Sequence, residues 1–385
     1  MEIPIVPPET LTATNPSIQS IPANEIDSTF TSTTIDLVSA GLDSHILSHS
    51  DEWFASSSNL LTPTPPIRRP GVFTYAGAWY DGWETRRHNS NPFDWVVIRL
   101  GVASGVVEGV EIDTAFFDGN HAPEIALEGC YVVGEGADER VSKFEQAPEV
   151  KEGEDGKREG GGEGFWKGIL GRRECGPSRR QAWRLVGGEG GRREYTHVRL
   201  LMFPDGGIAR LRVYGRAVPV FPKDVGEAFD LASARNGGVA IACSDQHFGR
   251  RENLLLPGRG KDMGDGWETK RSRGEHVDWV VVKLGCIGEI DKVVVDTAHF
   301  RGNFPRAVKV FAAEEKENGE APDGAGDVGW TEILGESKTG PDKEHEFEKG
   351  TGLSNIEGKA WRWIKLVIIP DGGVKRLKVF GRRKL

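Results

Sequence analysis

Two short stretches of the chain carry the residue types that acid–base chemistry uses. Asp81–Gly101 reads DGWETRRHNSNPFDWVVIRLG, and Asp265–Gly285 reads DGWETKRSRGEHVDWVVVKLG. Each opens with acids, a tryptophan and bases in quick succession, which are groups suited to proton transfer and to binding a carboxylate. Each then becomes an apolar run rich in β-branched residues, which predicts a strand. Because the stretches are near copies, they predict a duplicated unit whose polar loops are positioned by rigid strands.

The duplication continues on both sides of these stretches. Val110–Asn120 (VEIDTAFFDGN) matches Val293–Asn303 (VVVDTAHFRGN), and P-D-G-G lies between alternating apolar and polar residues in His197–Gly215 and again in Lys365–Gly381. This alternation around Asp-Gly predicts a hairpin at the end of each unit. No window of helical length shows a sustained 3.6-residue period. The pattern predicts an all-β fold of two tandem jelly-roll or β-sandwich repeats.

Composition and motif positions set the predicted domain boundaries. Residues 1–26 are rich in Pro, Thr, Ser and Asn, which predicts a disordered leader. The first repeat is predicted at 27–218, a linker at 219–224 and the second repeat at 225–385. A Gly- and Glu-rich segment, Lys151–Gly164, is predicted to be a surface loop that tolerates changes in length.

Overall charge and cysteine spacing exclude several classes of protein. A net charge of −9 argues against a general nucleic-acid binder, and no apolar stretch approaches the length of a membrane span. No secretory signal precedes the first repeat, which predicts a cytoplasmic protein, and the C-terminal RKL departs from a peroxisomal signal at Arg383. Cys130, Cys175, Cys243 and Cys286 lack metal-ligand spacing. We expect no metal and no cofactor, with a weakly bound divalent cation on the acidic loops as the alternative.

The candidate site residues occur in pairs, one in each repeat, except for the histidines. His299 stands where the first repeat has Phe116, and His247 stands where it has Trp53. A change from an aromatic residue to histidine at the rim of a repeated turn suggests a new task, because histidine exchanges protons near neutral pH. The predicted site in the second repeat consists of Asp265, Trp267, Glu268, Arg271, Asn303, His247 and His299. The rival set in the first repeat is Glu84, Arg87, His88, Asn120 and His121.

Taken together, these motifs resemble the allantoicase family. The resemblance is carried by SDEWFA (Ser50–Ala55), DGWETRRHN (Asp81–Asn89), IDTAFFDGNHAP (Ile112–Pro123), SDQHFGRRENLLLPGRG (Ser244–Gly260), DMGDGWETKRSR (Asp262–Arg273), VDTAHFRGNFP (Val295–Pro305) and both P-D-G-G segments. It implies a hydrolase of allantoin catabolism that converts allantoate and water into ureidoglycolate and urea. It also implies two jelly-roll repeats similar to galactose-binding domains, a small ureide as the partner, and a homo-oligomer.

This reaction assigns expected roles to the second-repeat residues. Arg271 holds the substrate carboxylate, and Asn303 binds a ureido group. His299 moves the proton, with Glu268 orienting either His299 or the attacking water. His247 is the third predicted catalytic residue and lines the same pocket. Asp265 and Trp267 are expected to contact the substrate as well. Two other functions stay open from the sequence, which are a sugar-binding module on the same fold and a neighbouring ureide step, ureidoglycolate cleavage.

Overall fold

Strands form almost all of the regular structure in the computed structural model, which describes residues 17–88, 90–142, 166–186, 193–317 and 319–385. The described residues form two units. One contains the residues up to Asp27 together with Asp36–Arg216, and the other contains Ser28–Ile35 together with Ala217–Leu385. Residues 219–224, the predicted linker, carry no helix or strand.

The first part of the chain builds two sheets. Its elements are β1 (Ser17–Ile21), α1 (Ile26–Phe30), β2 (Ile35–Asp36), β3 (His45–His49), β4 (Phe73–Thr74), β5 (Gly77–Ala78), β6 (Trp83–Glu84), β7 (Asp94–Arg99), β8 (Ser104–Asp113), β9 (Glu124–Cys130), α2 (Ala137–Ser142), β10 (Lys167–Glu174), β11 (Arg180–Val186), β12 (Glu194–Tyr195), β13 (His197–Phe203), β14 (Gly207–Ile208) and β15 (Arg210–Val218). One sheet has the order β1-β11-β8-β15-β2, with β12 beside β8, and the other has the order β10-β9-β13-β7-β3. Two small ribbons, β6–β14 and β4–β5, lie outside these sheets.

The second part repeats the main strands of this order, without counterparts of β1, β4 and β5 in its described residues. Its elements are β16 (Phe229–Asp230), β17 (Val239–Cys243), β18 (Trp267–Glu268), β19 (Asp278–Asp296), β20 (Ala307–Ala313), β21 (Thr331–Lys338), β22 (Glu344–Glu348), β23 (Trp361–Ile369), β24 (Gly373–Val374) and β25 (Arg376–Arg383). The single long strand β19 corresponds to β7 and β8 together, since its first half pairs with β17 and β23 and its second half with β22 and β25. The prediction of two all-β repeats is confirmed.

The predicted P-D-G-G hairpins are wrong. β13 pairs with β7 and β9, whereas β15 lies in the other sheet of the same unit. In the second unit β23 and β25 each pair with β19 and not with each other. The P-D-G-G segment instead carries the chain between sheet positions, through the short strand β14 or β24. Alternating residues indicate a half-buried strand but do not identify the strand that pairs with it.

The ordered fold also begins earlier than the sequence predicts. β1 pairs along its whole length with β11, and Ile21 and Ile26 are buried. The predicted disordered leader is therefore wrong from Ser17 onward. The prediction failed because it rested on a composition rich in Pro, Ser and Thr. The segment also contains isoleucines whose burial stabilises it, and its partner strand is distant in sequence. Residues 1–16 and the predicted loop at 151–164 lie outside the described residues.

Replacing Ile26 tests whether this segment belongs to the core. The side chain of Ile26 is fully buried, so Ile26→Ala should lower the free energy of unfolding by about 2–5 kcal/mol. Val133, which is exposed in the same unit, provides the control, and Val133→Ala should change it by less than about 0.5 kcal/mol. Urea unfolding followed by fluorescence measures both. Equal midpoints for the two variants would show that the segment does not contribute to the core.

Candidate active site

The tryptophan of each D-G-W-E-T motif is a core residue. Trp83 and Trp267 are fully buried. The indole N–H of Trp83 donates to the Asp51 carbonyl oxygen at 2.8 Å, and that of Trp267 donates to the Asp245 carbonyl oxygen at 2.9 Å. The prediction that Trp267 contacts the substrate is therefore wrong. A large apolar ring with one N–H donor is stable inside the protein once that donor has an acceptor.

The first residue of each motif forms ion pairs. Asp81 lies 2.8 Å from the Arg210 guanidinium and also accepts a backbone N–H from Ile67 at 2.9 Å. Asp265 pairs with Arg376 at 3.3 Å and with Lys375. Asp265 was predicted to bind substrate, but two cations already neutralise its carboxylate. Its position therefore indicates a role in holding the loop.

The threonine of each motif joins the loop to P-D-G-G. The Thr85 backbone N–H donates to the Gly206 carbonyl oxygen at 3.0 Å, and the Gly206 N–H donates to Thr85 Oγ1 at 3.2 Å. Thr269 and Gly372 form the same pair of contacts. Gly206 has a φ of 140°, and a Cβ atom there would lie 2.8 Å from the His121 carbonyl oxygen. This close approach requires glycine.

The glutamate of each motif is hydrogen-bonded to the asparagine of the next repeated segment. Asn120 Nδ2 donates to Glu84 Oε1 at 2.6 Å, and Asn303 Nδ2 donates to Glu268 Oε1 at 2.5 Å. Glu84 is only 7% exposed, whereas Glu268 is half-buried. Burial raises the pKa of Glu84, and the Asn120 hydrogen bond and the positive charge of Arg87 partly oppose this rise. A carboxyl group with a raised pKa is suited to proton transfer nearer neutral pH.

The arginines differ between the two units. Arg87 contacts the Asp205 carboxylate through Nε at 3.2 Å and donates to the Gly119 carbonyl oxygen at 3.2 Å. Arg271 donates to the Gly302 carbonyl oxygen at 2.8 Å, and no carboxylate among the described residues lies within 4 Å of it. Arg87 is therefore already paired with an acid, while the exposed Arg271 retains donors.

Backbone contacts link both histidines of the first-repeat set to the segments around Glu84, which lies in β6. The His88 backbone N–H donates to Asp205 Oδ2 at 2.8 Å. The His121 backbone bridges to Gly207, and Gly207 is the residue that pairs with Glu84 between β14 and β6. All five residues of this set therefore come from segments that meet at one turn.

The second-repeat set is only partly assembled. Glu268, Arg271 and Asn303 come together, but His299 is anchored elsewhere, where its backbone N–H donates to Asp342 Oδ1 at 2.8 Å. His247 is exposed on a loop. Across the described ranges no hydrogen bond joins the His247 or His299 imidazole to Glu268, or the His88 or His121 imidazole to Glu84. The turn positions occupied by His88 and His121 in the first unit hold Ser272 and Phe304 here.

Three further charged residues support the sites although the sequence analysis did not select them as site residues. Asp205 and Asp371, the aspartates of the two P-D-G-G segments, accept backbone N–H groups from the loop after D-G-W-E-T. Their repetition within P-D-G-G is the signal that identifies them. Lys375 is fully buried against Asp265, where the first unit has Ala209, and burial lowers the pKa of its amine to about 8. These residues position the loops.

The described residues show neither a metal-binding cluster nor a membrane-spanning helix. Within those ranges, no group of three or more His, Cys, Asp or Glu side chains is placed to hold a metal ion. The expectation of no metal or cofactor stays a prediction. Nor does any helix in the described ranges have the length and apolar character needed to cross a membrane.

Comparison with known proteins gives one consistent family. The allantoicase repeat model matches residues 35–218 and 229–384. The allantoicase of Neurospora crassa is 58% identical over 94% of this chain and 95% of its own length, and that of Saccharomyces cerevisiae is 49% identical over 90% and 93%. A crystal structure of the Saccharomyces cerevisiae allantoicase superposes with a TM-score of 0.75 at 44% identity, covering 95% of this chain and all of that one.

The buried carboxyl of Glu84 predicts a pH-dependent effect on stability. Because the pKa of Glu84 is raised in the folded state, the folded protein keeps this proton to higher pH than the unfolded chain. Glu84 therefore lowers the free energy of unfolding as the pH rises above 4.5, the ordinary pKa of a glutamate. Glu84→Gln keeps an oxygen that accepts from Asn120 and removes the ionisation. The variant should gain stability relative to wild type between pH 4 and pH 7.5, measured by thermal unfolding. A difference that does not change with pH would contradict this assignment.

Proposed function

This chain belongs to the allantoicase family, and we propose that its reaction takes place at the cluster around Glu84 in the first unit. The chain is a hydrolase of purine catabolism that converts allantoate and water into ureidoglycolate and urea. A family match over nearly the whole chain does not favour the alternatives of sugar binding or ureidoglycolate cleavage. The observation that carries the choice of unit is the burial of Glu84, which is 7% exposed and hydrogen-bonded to Asn120, whereas Glu268 is half-buried.

The reaction itself defines what the site must do. The central carbon of allantoate carries two ureido groups and a carboxylate. One C–N bond breaks, a C–O bond to water forms, and the proton lost by water is balanced by a proton gained by the departing urea nitrogen. A base must therefore take a proton from water, and an acid must protonate urea. Groups that bind the remaining ureido nitrogen and the carboxylate fix the orientation.

Glu84 is the general base in this proposal. Its burial raises its pKa, which makes its carboxylate a better proton acceptor than an exposed glutamate. Asn120 fixes one carboxylate oxygen of Glu84, and its side-chain carbonyl oxygen is assigned to accept a ureido N–H of the substrate. His121 follows Asn120 directly and supplies the proton to the departing urea, with His88 on the other side of the same turn.

Arg87 has a positioning role in the proposal. Its contacts with Asp205 and Gly119 tie the D-G-W-E-T loop to the Asn120 turn and to P-D-G-G. A guanidinium already neutralised by a carboxylate binds a second carboxylate less strongly. The carboxylate of the substrate therefore requires a different cation in this unit.

The proposal also covers the cofactor, assembly and location. We propose that the chain acts without a metal or cofactor, in the cytoplasm, and as a homo-oligomer. Phe73 and Tyr75 on the β4–β5 ribbon are 73% and 86% exposed, which supports an assembly because large exposed apolar side chains frequently mark interfaces.

The two copies of the motif provide a matched test of the catalytic base. Glu84→Gln should lower kcat for urea release from allantoate by roughly 10²–10⁴-fold, because the amide cannot accept a proton. Glu268→Gln keeps the hydrogen bond with Asn303 and should stay within about threefold of wild type, the scale of a neutral change. Steady-state urea release measures both. Loss of activity in Glu268→Gln alone would move the site to the second unit.

The histidines are tested in the same way. His121→Ala should lower kcat by roughly 10²-fold or more, and His299→Ala should leave it near wild type because His299 is anchored at Asp342. Circular dichroism and thermal unfolding confirm that each variant folds. If His299→Ala loses activity while His121→Ala keeps it, the site lies in the second repeat, as the sequence predicts, and the proposed site in the first unit is wrong.

A further inference from the structure

A cavity of about 90 Å³ opens beside the D-G-W-E-T loop of the first unit. The long connection between Leu61 and Asp81, including the β4–β5 ribbon, forms most of its wall. The lining residues are Ile67, Arg68, Arg69, Pro70, Gly71, Val72, Phe73, Ala78, Trp79, Tyr80, Asp81 and Phe116. Aromatic faces and two arginines thus surround one small space.

The electrostatic balance of this cavity is positive. Arg68 and Arg69 have no carboxylate within 4 Å among the residues that the structure describes, and Arg69 lies over the Trp79 ring at 4.9 Å. The only acid in the lining, Asp81, is already paired with Arg210 at 2.8 Å. A chain with a net charge of −9 therefore presents two arginines without acidic partners at one concave site. Guanidinium groups in such a setting are suited to a carboxylate.

The corresponding region of the second unit is filled. There the connection is shorter, and Arg259 contacts Asp296 through two nitrogens at 2.9 Å each. A Cβ atom on Gly260 would lie 2.1 Å from Asp265 Oδ2 and 2.4 Å from Lys375 Cε, so no space exists there for even a methyl group. Around Arg259 and Gly260 in the second unit, the described residues therefore leave no equivalent open space.

We propose that this cavity binds the carboxylate end of a small α-ureido acid through Arg68 and Arg69. The identity of the ligand rests on the proposed function, whereas the preference for a carboxylate rests on the cavity itself. The volume is sufficient for a group of a few heavy atoms, since a single water molecule needs about 10–15 Å³ of such space. Arg68 and Arg69 are exposed, so a ligand carboxylate can reach both guanidinium groups.

The cavity also adjoins the proposed catalytic cluster along the chain. Asp81 belongs to the motif that carries Glu84, and Phe116 belongs to the segment that carries Asn120. Because Arg87 is paired with Asp205, we assign the substrate carboxylate to Arg68 and Arg69. Arg68 and Arg69 are thus specificity-determining residues for the carboxylate of the substrate.

Binding of two small probes tests the proposal on the full chain. N-carbamoylglycine carries one ureido group and a carboxylate, and methylurea carries the ureido group alone. Isothermal titration calorimetry compares wild type, the Arg68→Gln/Arg69→Gln double variant and the control Arg140→Gln, whose side chain contacts backbone carbonyls near α2. The double variant should raise the Kd for N-carbamoylglycine roughly tenfold or more and leave that for methylurea unchanged. The control should match wild type for both probes.

Kinetics supply a second readout. In the double variant KM for allantoate should rise roughly tenfold or more while kcat changes little, because a ground-state contact is lost. An unchanged Kd, or the absence of wild-type binding together with an unchanged KM, overturns the proposal. If the double variant does not fold, Arg68→Gln and Arg69→Gln are measured singly under the same criteria.

The two proposals fail in different ways. If Glu84→Gln remains active while the double variant loses N-carbamoylglycine binding, the catalytic assignment is wrong and the anion site stands. If Glu84→Gln is inactive while the double variant binds N-carbamoylglycine and allantoate normally, the anion site is wrong and the catalytic assignment stands.

Discussion

The hydrogen bond from the buried Trp83 indole to the Asp51 carbonyl is the contact on which the site depends. The same Asp51 accepts the Arg86 backbone N–H through its carboxylate at 2.7 Å, so one residue fixes the loop on both sides of Glu84. Glu84 therefore sits on a loop that the core holds in place, as a precise acid–base group requires. Trp267 and its acceptor repeat the arrangement in the second unit.

This arrangement accounts for both the similarity and the difference between the two units. Their D-G-W-E-T motifs pack in the same way. Each has a buried tryptophan, an ion-paired aspartate and a threonine that is hydrogen-bonded to the first glycine of P-D-G-G. Residues at the edge of the loop are not needed for core packing and differ between the two units, as His121 in the first and Phe304 in the second show. The first unit acquires an open, positively charged cavity, and the second fills that region with Arg259 and Lys375. A duplicated scaffold thus allows one unit to specialise.

The sequence was sufficient for the architecture because its signals are local. Alternating strands and matched motifs predict two all-β repeats, and the structure has both. Strand partners were not predictable in the same way, since P-D-G-G between alternating runs is equally compatible with a hairpin and with a crossing between sheets. Strand β1 was not predicted either, because its partner β11 lies far away in sequence.

The candidate site was predictable only in part. The Glu–Asn–Arg set follows from repeated motifs, and the structure brings it together in both units. The remaining candidates depend on burial and on long-range contacts, which the sequence does not show. Trp267 has the residue type of a binding platform, yet it is fully enclosed. His299 breaks the repeat, but its backbone is anchored by Asp342, a long-range contact that no local pattern encodes.

The central claim is that the first unit binds and hydrolyses allantoate at the Glu84 cluster. A crystal structure of the Glu84→Gln variant soaked with allantoate tests it most directly, because the substrate should persist in the slowed enzyme. The account predicts substrate density in the first unit, with a ureido group at Asn120 and the carboxylate at Arg68 and Arg69. Density confined to the second unit, at Asn303 and Arg271, would contradict it.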